Sequence, residues 1–192
     1  MPTPAESTKI DGRTFRNVMG LFATGVTVIA VELEGEHYGM TANAITSVSL
    51  EPLIVLVCVQ KDAHMAGYLR QAGCFSINIL NQDQEDLSNF FAGQWPDDAE
   101  PPAHSLAPWV CGPRLAGAIG GLACIIDEFI EGGDHWIITG LVVDLYKHDA
   151  PANPLLYYRG QYRKVLDEKT TQYSSQTQSS RLDNDADQDE HQ

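Results

Sequence analysis

The distribution of apolar and polar positions predicts a chain built mostly from strands. Leu53 to Val59 is an unbroken apolar run of mostly branched residues, the pattern of a strand buried on both faces. Ahead of it, Gly39 to Ser49 (GMTANAITSVS) is small and hydroxyl-rich. Glu51-Pro52 separates the two halves, because proline cannot donate to a ladder and biases the preceding residue towards extended geometry. The expectation is a polar loop held against the middle of a sheet. Thr41, Asn43, Thr46, Ser47 and Ser49 give that loop short donors and acceptors.

The rest of the chain reads in order around that stretch. Asp11 is placed to cap a helix whose apolar positions Phe15, Val18, Met19 and Phe22 follow at helical spacing, ended by Gly25. Val26 to Glu32 and His37 to Ala44 predict a hairpin about the turn Glu34-Gly35-Glu36. Asp62 is placed to cap a second helix with Met65, Tyr68 and Leu69 inward and Gly73 as its stop. Cys74 to Leu80 alternates as a strand. Asp83 opens a third helix with Leu87, Phe90 and Phe91 inward, stopped by Gly93. The proline-rich stretch Gln94 to Pro113 reads as an irregular surface connection or a lid. Leu115 to Glu131 predicts one long strand or two, Trp136 to Tyr146 another, and Leu155 to Tyr158 a last short one before the turn Arg159-Gly160.

Three segments follow from this reading. Residues 1–10 form a flexible N-terminus, 11–166 a single domain, and 167–192 a disordered acidic tail, since Ser, Thr, Gln and Asp leave almost nothing to bury. Mostly non-local strands with three short helices give an α+β class, mainly β. Pattern alone leaves a barrel and a sandwich both open.

Charge and cysteine usage narrow the partners. A length of 192 residues suits one domain with a real core. No apolar run is long enough to span a membrane, and the first residues lack the basic and apolar regions of a secretory signal. A cytoplasmic protein is the expectation. A net charge of -14 argues against nucleic acid. Small anionic ligands stay open, because charges beyond a Debye length of roughly 8 Å are largely screened. What matters there is local convergence of cations, with Lys61, Arg70, Arg114, Arg159 and Arg163 as candidates. Cys58, Cys74, Cys111 and Cys124 are scattered, as are the histidines, so buried reduced thiols are expected and no metal site. The chain has no G-x-G-x-x-G, no P-loop and no Ser/His/Asp arrangement.

Two motifs then stand out. F-x-T-G-V-T-V at Phe22 to Val28 and GMTAN-x-x-T-S-V-S-L-x-P at Gly39 to Pro52 resemble the short-chain NAD(P)H:flavin oxidoreductases. These are the reductase components of two-component monooxygenases. Gly133-Asp134-His135, Phe75-x-x-Asn78-x-Leu80-x-x-x-Gln84 and Leu156-Tyr157-Tyr158-Arg159-Gly160-x-Tyr162 extend the resemblance over most of 11–166.

The resemblance implies an FMN-binding split β-barrel with short peripheral helices, FMN or FAD as flavin, and NADH or NADPH as hydride donor. It implies Thr41, Ala42 and Asn43 at the isoalloxazine edge, and Ser47 and Ser49 near the ribityl chain and phosphate. His135 falls beside the nicotinamide as the catalytic residue. Lys61 falls near phosphate, although Lys61-Asp62-Ala63 lacks the serine that often follows. Asn78 matches the family pattern as core or contact residue, and Tyr158 and Arg159 suit stacking or phosphate pairing. Such chemistry needs few protein groups, because the cofactor carries it. A small barrel has no interior room for the ring, so the site is expected to be a groove completed by a homodimer interface. The function implied is a flavin reductase supplying reduced flavin to a partner monooxygenase. A non-catalytic, tightly FMN-binding electron carrier or sensor is the alternative. An oxidase like the pyridoxamine-phosphate oxidases is a third, but its second cationic clamp is not evident.

Overall fold

The structure is a computed structural model that describes residues 10–149 and 152–166. The tail 167–192 and all but the last residue of the N-terminal segment lie outside the described residues. Helix α1 spans Gly12–Met19, and strands β1 (Thr24–Gly25), β2 (Thr27–Leu33), β3 (Glu36–Ala42), β4 (Ile45–Leu50) and β5 (Leu53–Gln60) follow. Then come α2 (His64–Ala72), β6 (Cys74–Ile79), α3 (Glu85–Phe91), β7 (Leu106–Ala107) and β8 (Arg114–Leu115). The chain closes with β9 (Gly120–Gly132), β10 (His135–Lys147), β11 (Leu156–Tyr158) and β12 (Gln161–Arg163). No helix among the described residues is long and apolar enough to cross a membrane.

One seven-stranded sheet, ordered β3-β2-β6-β9-β10-β5-β4, organises the molecule. Its edge strands β3 and β4 are neighbours in sequence, separated only by Asn43 and Ala44. That connection is at most about 11 Å of chain. The sheet therefore has to curl until its two edges approach each other at this turn. The edges do not pair with one another, so the curl is split and not closed by a hydrogen-bonded ring. The amide of Cys58 on β5 donates to the Ala44 carbonyl (3.0 Å) and pins the turn.

The inside of the curl is the larger core. Val55, Val57 and Val59 of β5 meet Ile29, Val31, Phe75, Ile77 and Ile138, and α2 closes one end with Met65 and Leu69. A second cluster of Val26, Val28, Leu80, Leu87, Leu115 and Leu155 lies under α3.

Several sequence expectations change here. β5 is buried on one face only: Val55, Val57 and Val59 face the core, while Ile54, Leu56 and Cys58 are half-covered. The hydroxyl-rich stretch is not a loop but the end of β3, a turn and β4. Asp11 does cap α1, accepting from the amides of Arg13 (2.8 Å) and Thr14 (3.1 Å). The apolar stripe of that helix, however, is exposed, with Phe15 at 60% and Phe22 at 72%. Asp62 does not cap α2. Ala63 holds the N-cap position without a side-chain bond, and Gly73 ends the helix at φ 68, a left-handed conformation that suits glycine. The proline-rich stretch is largely irregular, as expected, but contributes β7, which pairs with β8.

Candidate active site

Four adjoining hollows run along the split between the sheet edges. The Asn43 turn is their centre. Thr41, Ala42 and Asn43 line a hollow of about 240 Å³ with Ser88, Tyr157 and Tyr162. The same three residues line another of about 220 Å³ with Cys58, Gln60 and His135. Asn43 also lines a third of about 620 Å³, walled by Arg16, Met19, Phe22, Leu56 and Tyr157. Arg16 and Gly160 then lead into a fourth of about 410 Å³, which Arg159 also lines. The result is a continuous groove with His135 at one end and two arginines at the other.

Local structure fixes the turn at its centre. Thr41 Oγ1 donates to the Ser88 carbonyl (2.7 Å), so its proton is committed to α3 and only its lone pairs face outward. The Ala42 carbonyl accepts from Thr27 Oγ1 (2.7 Å). Asn43 Nδ2 donates to Thr24 Oγ1 (3.1 Å), tying the turn to β1. β1 in turn carries Tyr157 into the groove through the register Thr24 to Tyr157. Ser88 Oγ and Tyr162 Oη share a hydrogen bond (2.8 Å) at the floor.

His135 enters where β10 begins, opposite Gln60 of β5. Its Nδ1 lies 2.7 Å from Asp134 Oδ1. An ionised carboxylate can only accept, so His135 is the donor, and its hydrogen bond holds the Asp134 carboxyl below its usual range. Nδ1 therefore carries the proton and Nε2 is the nitrogen left for the groove. The Cys58 thiol, at the same end, is pushed up by burial and stays protonated.

Other residues marked from sequence are placed elsewhere. Ser47 is exposed along β4 and lines none of these hollows. The Ser49 hydroxyl accepts from the Glu51 amide (3.1 Å) within its own turn. Lys61 adjoins the groove in sequence, but its Nζ meets Glu131 (3.4 Å) and the Trp136 ring (4.8 Å to its centroid). Asn78 is fully buried; its Oδ1 accepts from the Leu115 amide (2.8 Å) and its Nδ2 donates to the carbonyls of Val28 and Pro113 (each 3.3 Å). It is a structural residue with nothing left for a ligand. Tyr158 lies under the Arg159 guanidinium (5.2 Å), and it is Tyr157 that faces the groove. Successive residues of a strand point to opposite sides. The proline-rich stretch covers none of the groove beyond Gln94. Trp95 and residues 102–105 of that stretch line a separate hollow with Asp83 and Asp86 of the α3 region.

Electrostatics set the groove apart. The chain has 26 acidic residues, yet among the described residues none lines any of the four hollows. Their cations and amide groups suit an anionic, planar ligand. No group of His, Cys, Asp or Glu that could hold a metal ion occurs among the described residues.

The molecule is thus a curled, mainly β sheet with a ligand-sized groove along its split, and the comparisons with known proteins name its family. Residues 19–166 match the flavin reductase like domain, and the chain belongs to that family. The reductase component of the 4-nitrophenol 4-monooxygenase/4-nitrocatechol 2-monooxygenase of Rhodococcus opacus is 39% identical over 154 residues, 80% of each chain. An NADH-dependent FAD reductase of Streptomyces globisporus is 40% identical over 157 residues, 78% of this chain and 83% of the relative. Among solved structures, the flavin reductase PheA2 superposes with a TM-score of 0.77 at 39% identity, covering 82% of this chain and all of that one. The NADH:FAD oxidoreductase SgcE6 of Streptomyces globisporus C-1027, in complex with NAD and FAD fragments, gives 0.73 at 36% identity, covering 84% and 99%. These neighbours have the split-barrel architecture expected from the sequence motifs.

Proposed function

We propose that the protein is an NADH-dependent flavin reductase that takes FMN or FAD and delivers reduced flavin to a separate monooxygenase component. The observation that carries this reading is the carboxylate-free groove with the Thr41–Ala42–Asn43 turn at its centre and His135 at one end. The names of relatives at 39% and 40% identity support it. A flavin in the groove supplies the ring nitrogen that accepts a hydride. The chain supplies placement. The turn offers Asn43 and backbone groups to the ring edge, and the hydrogen bonds of Thr41, Ala42 and Asn43 hold it rigid. His135 Nε2 orients the nicotinamide through its carboxamide. Few charged groups are needed, because alignment and exclusion of water do most of the work when the cofactor carries the chemistry.

The reading includes a homodimer whose interface borders the groove, since Met19 and Phe22 of the exposed apolar stripe also line it. It also implies a cytoplasmic setting, where NADH is available. The test is NADH oxidation at 340 nm with free FMN or FAD added. Flavin-dependent NADH loss is expected. Tight flavin without turnover would make the protein a carrier, and no flavin binding at all would overturn the reading.

A further inference from the structure

Arg16 and Arg159 reach the groove from opposite ends of the sequence. Arg16 is in the last turn of α1 and Arg159 is in the turn between β11 and β12. Both line the hollow of about 410 Å³ at the end away from His135. We infer that these two arginines form a clamp for a phosphate group of the phosphorylated cofactor. The inference rests on the flavin reductase reading and adds residues and a role to it.

Three observations converge. First, neither guanidinium has a carboxylate partner among the described residues, although the chain has 26 acidic residues against 12 Lys and Arg. The same holds for every arginine among the described residues, and what sets these two apart is that both line one hollow. Second, the pair is held in place by backbone. The Arg159 amide donates to the Gly20 carbonyl (2.9 Å), which locks the β11–β12 turn onto the end of α1. A Cβ at Gly20 would lie 3.2 Å from the Arg16 carbonyl oxygen and at ordinary contact distance, 3.7 Å, from the Arg159 Cα, so the two segments pack directly against each other. Third, Arg159 sits at φ 53, a left-handed conformation that a turn of this kind fills with Asn or Gly. Arginine is strained there relative to Asn or Gly, as Glu34 is at φ 54 in its own turn, and strain of this kind clusters at functional positions. Arginine's planar fork suits phosphate oxygens, and two forks outweigh the partial negative charge of the α1 C-terminus beside them.

The groove is continuous from His135 to this clamp. A ligand with its reacting ring near Asn43 thus extends its phosphate towards Arg16 and Arg159. Both the flavin and the nicotinamide dinucleotide carry such a phosphate, and the test separates them. Arg16→Gln and Arg159→Asn, the latter chosen to keep the turn, are compared with the unaltered protein. FMN is set against riboflavin, and NADH against N-benzyl-1,4-dihydronicotinamide, which lacks phosphate. Each binds with its own fluorescence signal, so affinity is read without turnover, and KM ratios follow from the NADH assay.

Loss of a charge-assisted contact should raise the ratio of phosphorylated to unphosphorylated dissociation constant by roughly 10- to 100-fold. A rise in the FMN to riboflavin ratio assigns the clamp to the flavin phosphate. A rise in the NADH to benzyl-dihydronicotinamide ratio assigns it to the dinucleotide. Arg159→Lys should recover part of the effect. If neither ratio moves, the clamp is refuted. If the unaltered protein binds both cofactors but shows no turnover, the reductase reading falls while the binding ratios still decide the clamp.

Discussion

His135→Ala removes an imidazole but leaves the Asn43 turn and its three hydrogen bonds intact. Its expected effect is therefore unequal: kcat/KM for NADH falls roughly 10- to 100-fold, the worth of one good polar contact. The flavin dissociation constant should stay within about threefold. Equal losses in both, measured by steady-state kinetics and flavin fluorescence, would remove His135 from the nicotinamide end. The buried thiols give a pH prediction at the same scale. Burial pushes Cys124 up to about 12 and Cys111 up to about 11, from an ordinary 9.0. With folded values raised, their contribution to stability is whole below pH 9 and is lost as pH rises towards 11 to 12, because only the unfolded chain can release those protons. Urea midpoints should decline between pH 8.5 and 10.5, and Cys124→Ala should flatten the decline; an unchanged slope would contradict it. Thr41, Asn43 and His135 were legible in the sequence because each sits in a short contiguous motif. Tyr157 and Arg16 were not, because their places depend on β11 pairing with β1 and on the Arg159 turn docking onto the end of α1, both from the far end of the chain. The motif containing both tyrosines says nothing about which one faces the groove. Strand parity decides that.

At the level of elements, the segment from Cys111 to Leu115 is strapped onto β6. Asn78 holds the Pro113 carbonyl and the Leu115 amide, Ser76 Oγ donates to Pro113 as well (2.6 Å), and Gly112 lies against the chain itself. A Cβ at Gly112 would run into the Ala30 carbonyl oxygen and lie 2.6 Å from the Ser76 nitrogen, and its φ is 67. Asn78→Ala strands several buried polar groups and leaves a void, so a loss of about 2–4 kcal/mol is expected from denaturant unfolding. A loss below about 1 kcal/mol would mean that the strap is dispensable. Nothing local announced this role, since a buried Asn at a strand position and a ligand-binding Asn look alike in one sequence. The strands themselves were readable from alternation. β5 has the sequence pattern of a doubly buried strand because branched residues occupy both of its faces, and only the curl of the sheet tells the core side from the half-covered one. The loop expected at Gly39 to Ser49 proved to be two edge strands, for Thr41, Asn43 and Thr46 line a split that exists only once the sheet has bent.

For the whole molecule, the exposed apolar surface is the outstanding feature. Phe15, Val18, Met19 and Phe22 on and after α1 are 60%, 62%, 52% and 72% exposed. Leu50 of β4 is 81% exposed. Large apolar side chains gain about 1.5–3 kcal/mol each on full burial, so a single chain forgoes several such contributions at its surface. A second copy of the chain is the occupant that the function proposed above calls for. Met19 and Phe22 also wall the hollow that contains Asn43, so whatever covers the stripe also shapes the groove. The expectation is a particle of twice the 21.1 kDa chain mass in light scattering. Phe15→Asp with Phe22→Asp should halve that mass, because burying two carboxylates in an apolar interface costs more than the contact returns. The same variant should bind flavin at least tenfold more weakly, since one wall of the groove leaves with the partner. Far-ultraviolet circular dichroism should be unchanged, because neither residue packs in the monomer core. A wild-type protein that is monomeric and still binds flavin at full affinity would show that the groove is complete in one chain and that the stripe serves another purpose.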